Sequence, residues 1–198
     1  MSKKSVLGID LGTSAVKLLQ RFSDGEVVKE KERYEEISPK GWWDAISRAM
    51  SRMELASVEA IGLSSQVGTY LVDNREVISW NDPIGAEELT ELKETYSQEE
   101  FLAEISMPHP NIISYPLPRL MFIKKTYPAF RKVCQPKDFI CEKLTGKCMT
   151  DPYSWRGLAN LNTKIYSKKF LKDMGIGEDM LPQMIEFTEV AGNLLEGV

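Results

Sequence analysis

An α/β fold is what this 198-residue sequence predicts, and three observations carry the prediction. Val6, Leu7 and Ile9 form a short apolar run that ends in Asp10, a tight Gly12 turn and a second alternating segment. Ser38-Pro39 then opens a helix, and strand-like segments resume at Val58. From Gly85 onward the pattern turns helical. Three strands, a helix and then more strands are neither a βαβα alternation nor an all-β series.

The elements follow in order. The Val6–Ile9 run reads as a strand buried on both faces. Val16, Leu18 and Phe22 alternate with Lys17, Leu19 and Arg21, which predicts a second strand, and Asp24-Gly25 turns the chain into a third. Ser at N-cap and Pro at the first helical position start a helix at 38–39, with Trp43, Ile46, Met50 and Met53 as its core stripe. Val58 to Ser65, Val67 to Val72 and Val77 to Trp80 are the next strands. Leu89, Leu92 and Tyr96 share a helical face. Ser97 with Glu100 is a capping box opening a helix with Phe101, Leu102 and Ile105 inward. Pro118 can begin another, Asp138 to Leu144 a further one closed by Gly146, and Ser167 caps a last one ending at Gly175.

Composition limits the function classes. Hydrophobic content of 42% and charged content of 27% are ordinary for a soluble domain. A net charge of −4 with scattered Lys and Arg argues against nucleic acid. No apolar run approaches membrane-spanning length, and Met1-Ser2-Lys3-Lys4 leads straight into the first strand without a signal peptide's apolar core. Cys134, Cys141 and Cys148, spaced by seven, lack metal-ligand pairing and read as reduced thiols of a cytoplasmic protein. His109 is the only histidine and lies between two prolines, an exposed bystander rather than a base. It leaves little room for Ser-His-Asp catalysis.

The Asp10-Leu11-Gly12-Thr13-Ser14 turn carries the chemistry. Gly12 allows close backbone approach, Thr13 and Ser14 add hydroxyls, and consecutive turn N–H groups can form an anion-binding nest. Those N–H groups and Lys17 would hold phosphate oxygens, and Asp10 would hold Mg²⁺ through water. A Rossmann fingerprint is excluded because Asp10 stands at its second glycine and a strand follows. A P-loop is excluded because Cys148 follows Gly146-Lys147 and Cys141 stands at its first glycine. On spacing alone, a nucleotide site and a plain surface hairpin stand level.

The turn resembles the first phosphate motif of the actin, Hsp70 and sugar-kinase superfamily, D-x-G-T-[ST]-x-x-[KR], which Asp10, Gly12, Thr13, Ser14 and Lys17 all fit. Ile61-Gly62-Leu63-Ser64-Ser65-Gln66-Val67-Gly68 and Ile78-Ser79-Trp80-Asn81-Asp82 resemble two segments on the sugar side of xylulokinase-like FGGY carbohydrate kinases. Gln66, Asn81 and Asp82 can hydrogen-bond polyol hydroxyls, and Trp80 can face sugar carbons. In isolation, Asn81-Asp82-Pro83 is simply a turn. Lys137-Asp138-Phe139 with Leu144-Thr145-Gly146, Thr150-Asp151 with Ser154 and Gly157, and Leu181-Pro182 with Glu189 to Gly192 extend the resemblance along essentially the whole chain. Trp155 and Arg156 replace an Ala and a Ser of the family pattern; Val67 and Gly68 replace the Met and His that face the sugar; Ile84 stands where an arginine often follows.

The resemblance implies a ribonuclease-H-like mixed sheet flanked by helices, with residues 1–198 forming an N-terminal domain that carries a helical insertion at about 85–190. It implies an ATP- and Mg²⁺-dependent transfer of phosphate to a small sugar or polyol. It also implies a C-terminal domain beyond Val198 that holds the catalytic base and most adenosine contacts, so this chain alone is expected to be inactive. A homodimer is a possible assembly. Two rivals stand beside it: a non-catalytic family member with a degraded sugar site, and an actin- or Hsp70-like ATPase with a protein partner.

Overall fold

The computed structural model describes residues 3–196, in two compact units, Met1–Gln66 and Val67–Val198. Met1, Ser2, Gly197 and Val198, which belong to the terminal readings above, lie outside the described residues.

The first unit is a four-stranded mixed sheet with one helix. Strands β1 (Ser5–Leu11), β2 (Ala15–Phe22), β3 (Val27–Arg33) and β4 (Val58–Ser65) lie in the order β3-β2-β1-β4. β1–β2 and β2–β3 are antiparallel, whereas β4 runs parallel to β1. Parallel pairing needs a long crossover, and α1 (Pro39–Met50) provides it. The Ser38 side chain accepts the Gly41 N–H at 3.0 Å as N-cap, and Pro39 begins the helix.

Alternation along the strands decides which side chains meet α1. Leu7, Ile9, Leu11, Val16 and Leu18 are buried with Trp42, Ala45, Ile46 and Ala49. Of the expected stripe, Ile46 and Met50 are buried while Trp43 and Met53 are half-buried, and Trp42 rather than Trp43 is the buried tryptophan. Gln20 is a polar plug in this layer, its amide donating to Ser5 Oγ and to the Glu54 carbonyl, each at 2.8 Å. The expectation that β1 is buried on both faces fails here. Val6 is 51% exposed, whereas Leu7, Ile9 and Leu11 on the opposite face are buried.

The second unit is mostly helical around a small antiparallel sheet. Strands β5 (Tyr70–Val72) and β6 (Glu76–Ile78) form a hairpin whose turn residues Asp73 and Asn74 both have positive φ, as Asp and Asn tolerate. Helices α2 (Ala86–Thr95), α3 (Gln98–Ile105) and α4 (Pro116–Thr126) follow. β7 (Val133–Cys134) then pairs with the free side of β5. Next come α5 (Pro136–Thr145), β8 (Met149–Thr150), β9 (Ala159–Asn160), β10 (Ile165–Tyr166), α6 (Lys168–Met174) and β11 (Gln183–Met184). β8 pairs parallel with β11 and β9 antiparallel with β10.

One core, including Tyr70, Phe101, Leu120, Trp155, Tyr166 and Phe170, joins these elements. The capping box at Ser97 and Glu100 forms as expected, but Leu102 points outward at 49% exposure while Phe101 and Ile105 are buried. α4 starts at Pro116 rather than Pro118. His109 is half-buried rather than an exposed bystander: its Nε2 lies 2.8 Å from the Tyr96 carbonyl and its ring is edge-on to Phe101.

Candidate functional site

In the first unit, parallel pairing aligns the C-terminal ends of β1 and β4. Asp10 is level with Ser64 and Leu11 with Ser65, and the Gln66 N–H donates to the Leu11 carbonyl at 2.9 Å. The Asp10–Ser14 turn and Gln66 therefore share one sheet edge. Open α/β sheets collect ligands at the carboxyl ends of their strands. The Gln66 amide oxygen is buried and has no hydrogen-bond partner among the described residues. A buried acceptor left unmade costs stability.

The turn itself is held by the hairpin. Gly12 N–H donates to the Ala15 carbonyl at 3.0 Å, so it is spent on the turn rather than offered to an anion. Gly12 contributes close approach instead: a Cβ there would meet the Ala15 oxygen at 3.2 Å. Asp10 and Lys17 are cross-strand partners, with carboxylate and ammonium 3.9 Å apart and both well exposed. Thr13 and Ser14 lie at the tip, between them.

Tyr34 fixes the turn from behind, and the sequence reading passed over it. Its hydroxyl donates to the Gly12 carbonyl at 3.2 Å and its N–H to the Ser14 carbonyl at 3.2 Å. Burial, with the negative charge of Asp10, pushes the Tyr34 hydroxyl pKa up, so it stays a donor.

The donor set is one carboxylate, two hydroxyls and an ammonium. Among the described residues no group of three or more His, Cys, Asp or Glu side chains could hold a metal ion. A lone carboxylate fits Mg²⁺, which keeps waters and takes one or two carboxylates beside phosphate oxygens. It does not fit a metal caged by protein alone.

In the second unit, Gly68, Trp80, Asn81 and Asp82 meet around Thr69 and Arg119. The Trp80 N–H donates to Thr69 Oγ1 at 3.1 Å. Asp82 Oδ2 accepts the Ser79 N–H at 2.7 Å, and Ser79 Oγ donates to Asn81 Oδ1 at 2.6 Å. The segment is thus a turn closed by its own side chains, which ends β6 two residues short of the expected Trp80. Trp80 is 44% exposed, Asn81 is exposed and Asp82 half-buried.

Arg119 anchors this turn and was also missed in the sequence. It is fully buried on α4, and its Nη2 donates to the carbonyls of Ser79 at 3.1 Å and Asp82 at 3.0 Å. The only sequence signal is an arginine between Pro118 and Leu120 on a buried helix face. Gly68 adopts φ +87°, and a Cβ there would lie 2.9 Å from the Ser114 side chain. That conformation shortens the expected strand from Val67 to Tyr70 at its start. Val67 is exposed beside it.

The later motifs are structural. Lys137 forms an ion pair with Asp151 and donates to Ser154 Oγ at 2.8 Å, and Ser154 Oγ donates to Asp151 Oδ2 at 2.8 Å. Burial works against the Asp151 charge, but Lys137 and the Ser154 donors outweigh it and hold the carboxyl below the usual range. Asp138 is buried, accepts the Gln135 N–H and Trp155 Nε1, and is pushed up by burial. Trp155, the departure from the family pattern, fills the core edge-on to Tyr70 and Tyr166.

Solved structures share this fold. The xyloylose kinase from Brucella ovis superposes with a TM-score of 0.85 at 25% identity, over 98% of this chain and 46% of that one. The gluconate kinase from Lactobacillus acidophilus gives 0.82 at 23% identity, over 98% and 44%, a likeness of fold. The domain is therefore of the ribonuclease-H-like, actin-like ATPase class in its sugar-kinase form. Residues 5–198 match the description "FGGY family of carbohydrate kinases, N-terminal domain", and the chain belongs to that family. It is 30% identical to the xylulose kinase of Escherichia coli (strain K12), over 97% of this chain and 44% of that protein. It is 28% identical to the xylulose kinase of Staphylococcus xylosus, over 98% and 45%. The chain thus spans less than half the length of these relatives. Among the described residues no helix is long and apolar enough to cross a membrane.

Proposed function

We propose that this chain is the phosphate- and sugar-recognising part of a cytoplasmic kinase that transfers the γ-phosphoryl group of ATP to a hydroxyl of a small sugar or polyol, a xylulose-like ketose by its relatives. The observation that carries the reading is the shared end of β1 and β4, where the Gln66 N–H bonds the Leu11 carbonyl at the start of the Asp10–Ser14 turn. Thr13, Ser14 and Lys17 would hold phosphate oxygens, Gly12 would let them approach, and Asp10 would hold Mg²⁺ through water. The metal, when bound, supplies charge neutralisation on the phosphates. In the first unit Gln66 would accept from a hydroxyl; taken by itself, the second unit's turn offers Asn81 and Asp82 as hydroxyl partners and Trp80 as an apolar face. Phosphoryl transfer asks for positioning and charge stabilisation more than covalent chemistry, and these residues offer positioning. The base that takes the hydroxyl proton, and the adenosine contacts, would come from a C-terminal domain of a longer polypeptide.

A second reading is a family member that binds without catalysing. It is favoured by Gly68, whose φ of +87° and contact with Ser114 leave no room for a sugar-facing side chain. A panel of pentuloses, polyols and aldonates, given with Mg-ATP to the full-length protein, separates the two. ADP release that depends on one member supports the kinase; ATP left intact with every member supports the binding protein.

A further inference from the structure

We propose that Arg156 sets the acceptor specificity of this chain, and that it selects a sugar acid, an aldonate, over a neutral ketose or polyol. The inference rests on the kinase reading above and narrows its acceptor. It starts from two departures from the family pattern that lie far apart in sequence, Gly68 and Arg156. Gly68 removes a side chain, and Arg156 adds a charged one where the pattern has a serine. Within the second unit the fold brings both to one short segment, Ser114-Tyr115, just before α4.

On one side Gly68 abuts Ser114: at φ +87°, a Cβ there would lie 2.9 Å from the Ser114 side chain. On the other side the Arg156 guanidinium lies over the Tyr115 ring, 5.7 Å from its centroid. Gly157 touches the same ring, and a Cβ there would lie 3.2 Å from Tyr115 Cδ2. Tyr70 ties the two sides together. Its hydroxyl donates to the Ser114 carbonyl at 3.2 Å, and its ring is edge-on to Trp155 at 5.8 Å.

Arg156 is held in place but not neutralised. Buried Trp155 anchors the chain before it, and Gly157, at φ +95°, turns the chain after it. Its Nη1 donates to the Tyr153 carbonyl at 3.2 Å. Among the described residues no carboxylate pairs with Arg156, and its side chain is only half-buried. Stacking on an aromatic face fixes the guanidinium plane and leaves its edge open, the geometry that takes a carboxylate through two parallel hydrogen bonds. A serine would offer a hydroxyl and no charge.

Arg119 adds a second positive charge behind the adjoining turn. Thr69, next to Gly68, accepts the Trp80 N–H at 3.1 Å, so that turn and Gly68 are neighbours. Arg119 Nη2 serves the turn carbonyls, while its buried Nε and Nη1 have no hydrogen-bond partner among the described residues. Two cations without acid partners favour an anionic ligand at this surface. The turn's own acid, Asp82, would repel a carboxylate. The acid end of the acceptor therefore belongs at Arg156, with its hydroxyls toward Asn81 and Asp82.

The test assays ADP release by the full-length protein with Mg-ATP and three acceptors of equal carbon number: D-xylonate, D-xylulose and xylitol. The wild type should show kcat/KM for D-xylonate at least about 10-fold above that for either neutral acceptor, as one charge-assisted pair allows. Arg156→Gln should erase that preference, mainly through KM, and Arg156→Lys should keep part of it by charge alone. Titration calorimetry of the same proteins without ATP separates this assignment from the kinase reading. D-xylonate binding that weakens about 10-fold in Arg156→Gln, with no ADP released from any acceptor, would support Arg156 and sink the kinase reading. A wild type that prefers a neutral acceptor, fails to bind D-xylonate, or loses acid and neutral acceptors equally in Arg156→Gln would overturn the assignment. ADP release that persists with a neutral acceptor would then leave the kinase reading standing. Should Arg156→Gln not fold, the wild-type preference and Arg156→Lys still decide it.

Discussion

Arg119 Nη2 donates to the Asp82 carbonyl at 3.0 Å, tying a buried guanidinium on α4 to the turn that presents Trp80 and Asn81. Removing it strands the Ser79 and Asp82 carbonyls without their donor. Arg119→Met should cost about 3 kcal/mol in urea unfolding. Amide exchange at Ser79 to Asp82 should accelerate by more than that of α4. Equal protection at those amides would mean the turn holds itself.

Tyr34→Phe removes one hydrogen bond, to the Gly12 carbonyl, and leaves the ring in place. It should lower stability by about 1 kcal/mol. If the proposed function holds, in the full-length protein it should raise KM for ATP more than KM for the sugar. A rise confined to the sugar would contradict the assignment of this turn to phosphate.

Asp151 gives a pH signature. Its folded-state pKa lies below the unfolded value, so the Lys137 pair stabilises fully above about pH 4 and its contribution is lost as pH falls through the lower folded value. Asp151→Asn should therefore be less stable than wild type at pH 7, by about 3 kcal/mol. The gap should narrow below about pH 4. Denaturant midpoints of the two proteins across pH 2–7 check it. A constant gap would show that the carboxylate charge is not what matters.

Gly68→Ala puts a Cβ against Ser114 on a backbone at φ +87°. It should destabilise by at least about 1 kcal/mol. Thermal unfolding of the variant reads this directly, and a neutral result would show that the segment relaxes.

Much of this was legible because it is local. The strand–turn–strand at Ser5–Phe22 follows from an apolar run, a glycine turn and a period-two alternation after it, and the Asp10 to Lys17 set is contiguous in sequence. The capping residues Ser38, Ser97 and Ser167 each begin the expected helix. What stayed hidden depends on distant partners. Arg119 meets Asp82 from 37 residues away, and Tyr34 meets Gly12 from 22. Face burial of β1 was misread because an apolar run does not say how many layers cover it; the 51% exposure of Val6 does. The β5 and β6 segments were overextended because Gly68 and the Ser79–Asp82 turn end the pairing that β-propensity alone would continue.

The central claim is that the Asp10 turn serves phosphoryl transfer, and Asp10→Asn in the full-length protein tests it most directly. Asp10 is half exposed and its ion pair with Lys17 is loose, so the substitution should move the unfolding free energy by no more than about 0.5 kcal/mol. Sugar-dependent ADP release should fall by about 100-fold or more. Wild-type turnover in a folded Asp10→Asn protein would contradict the account.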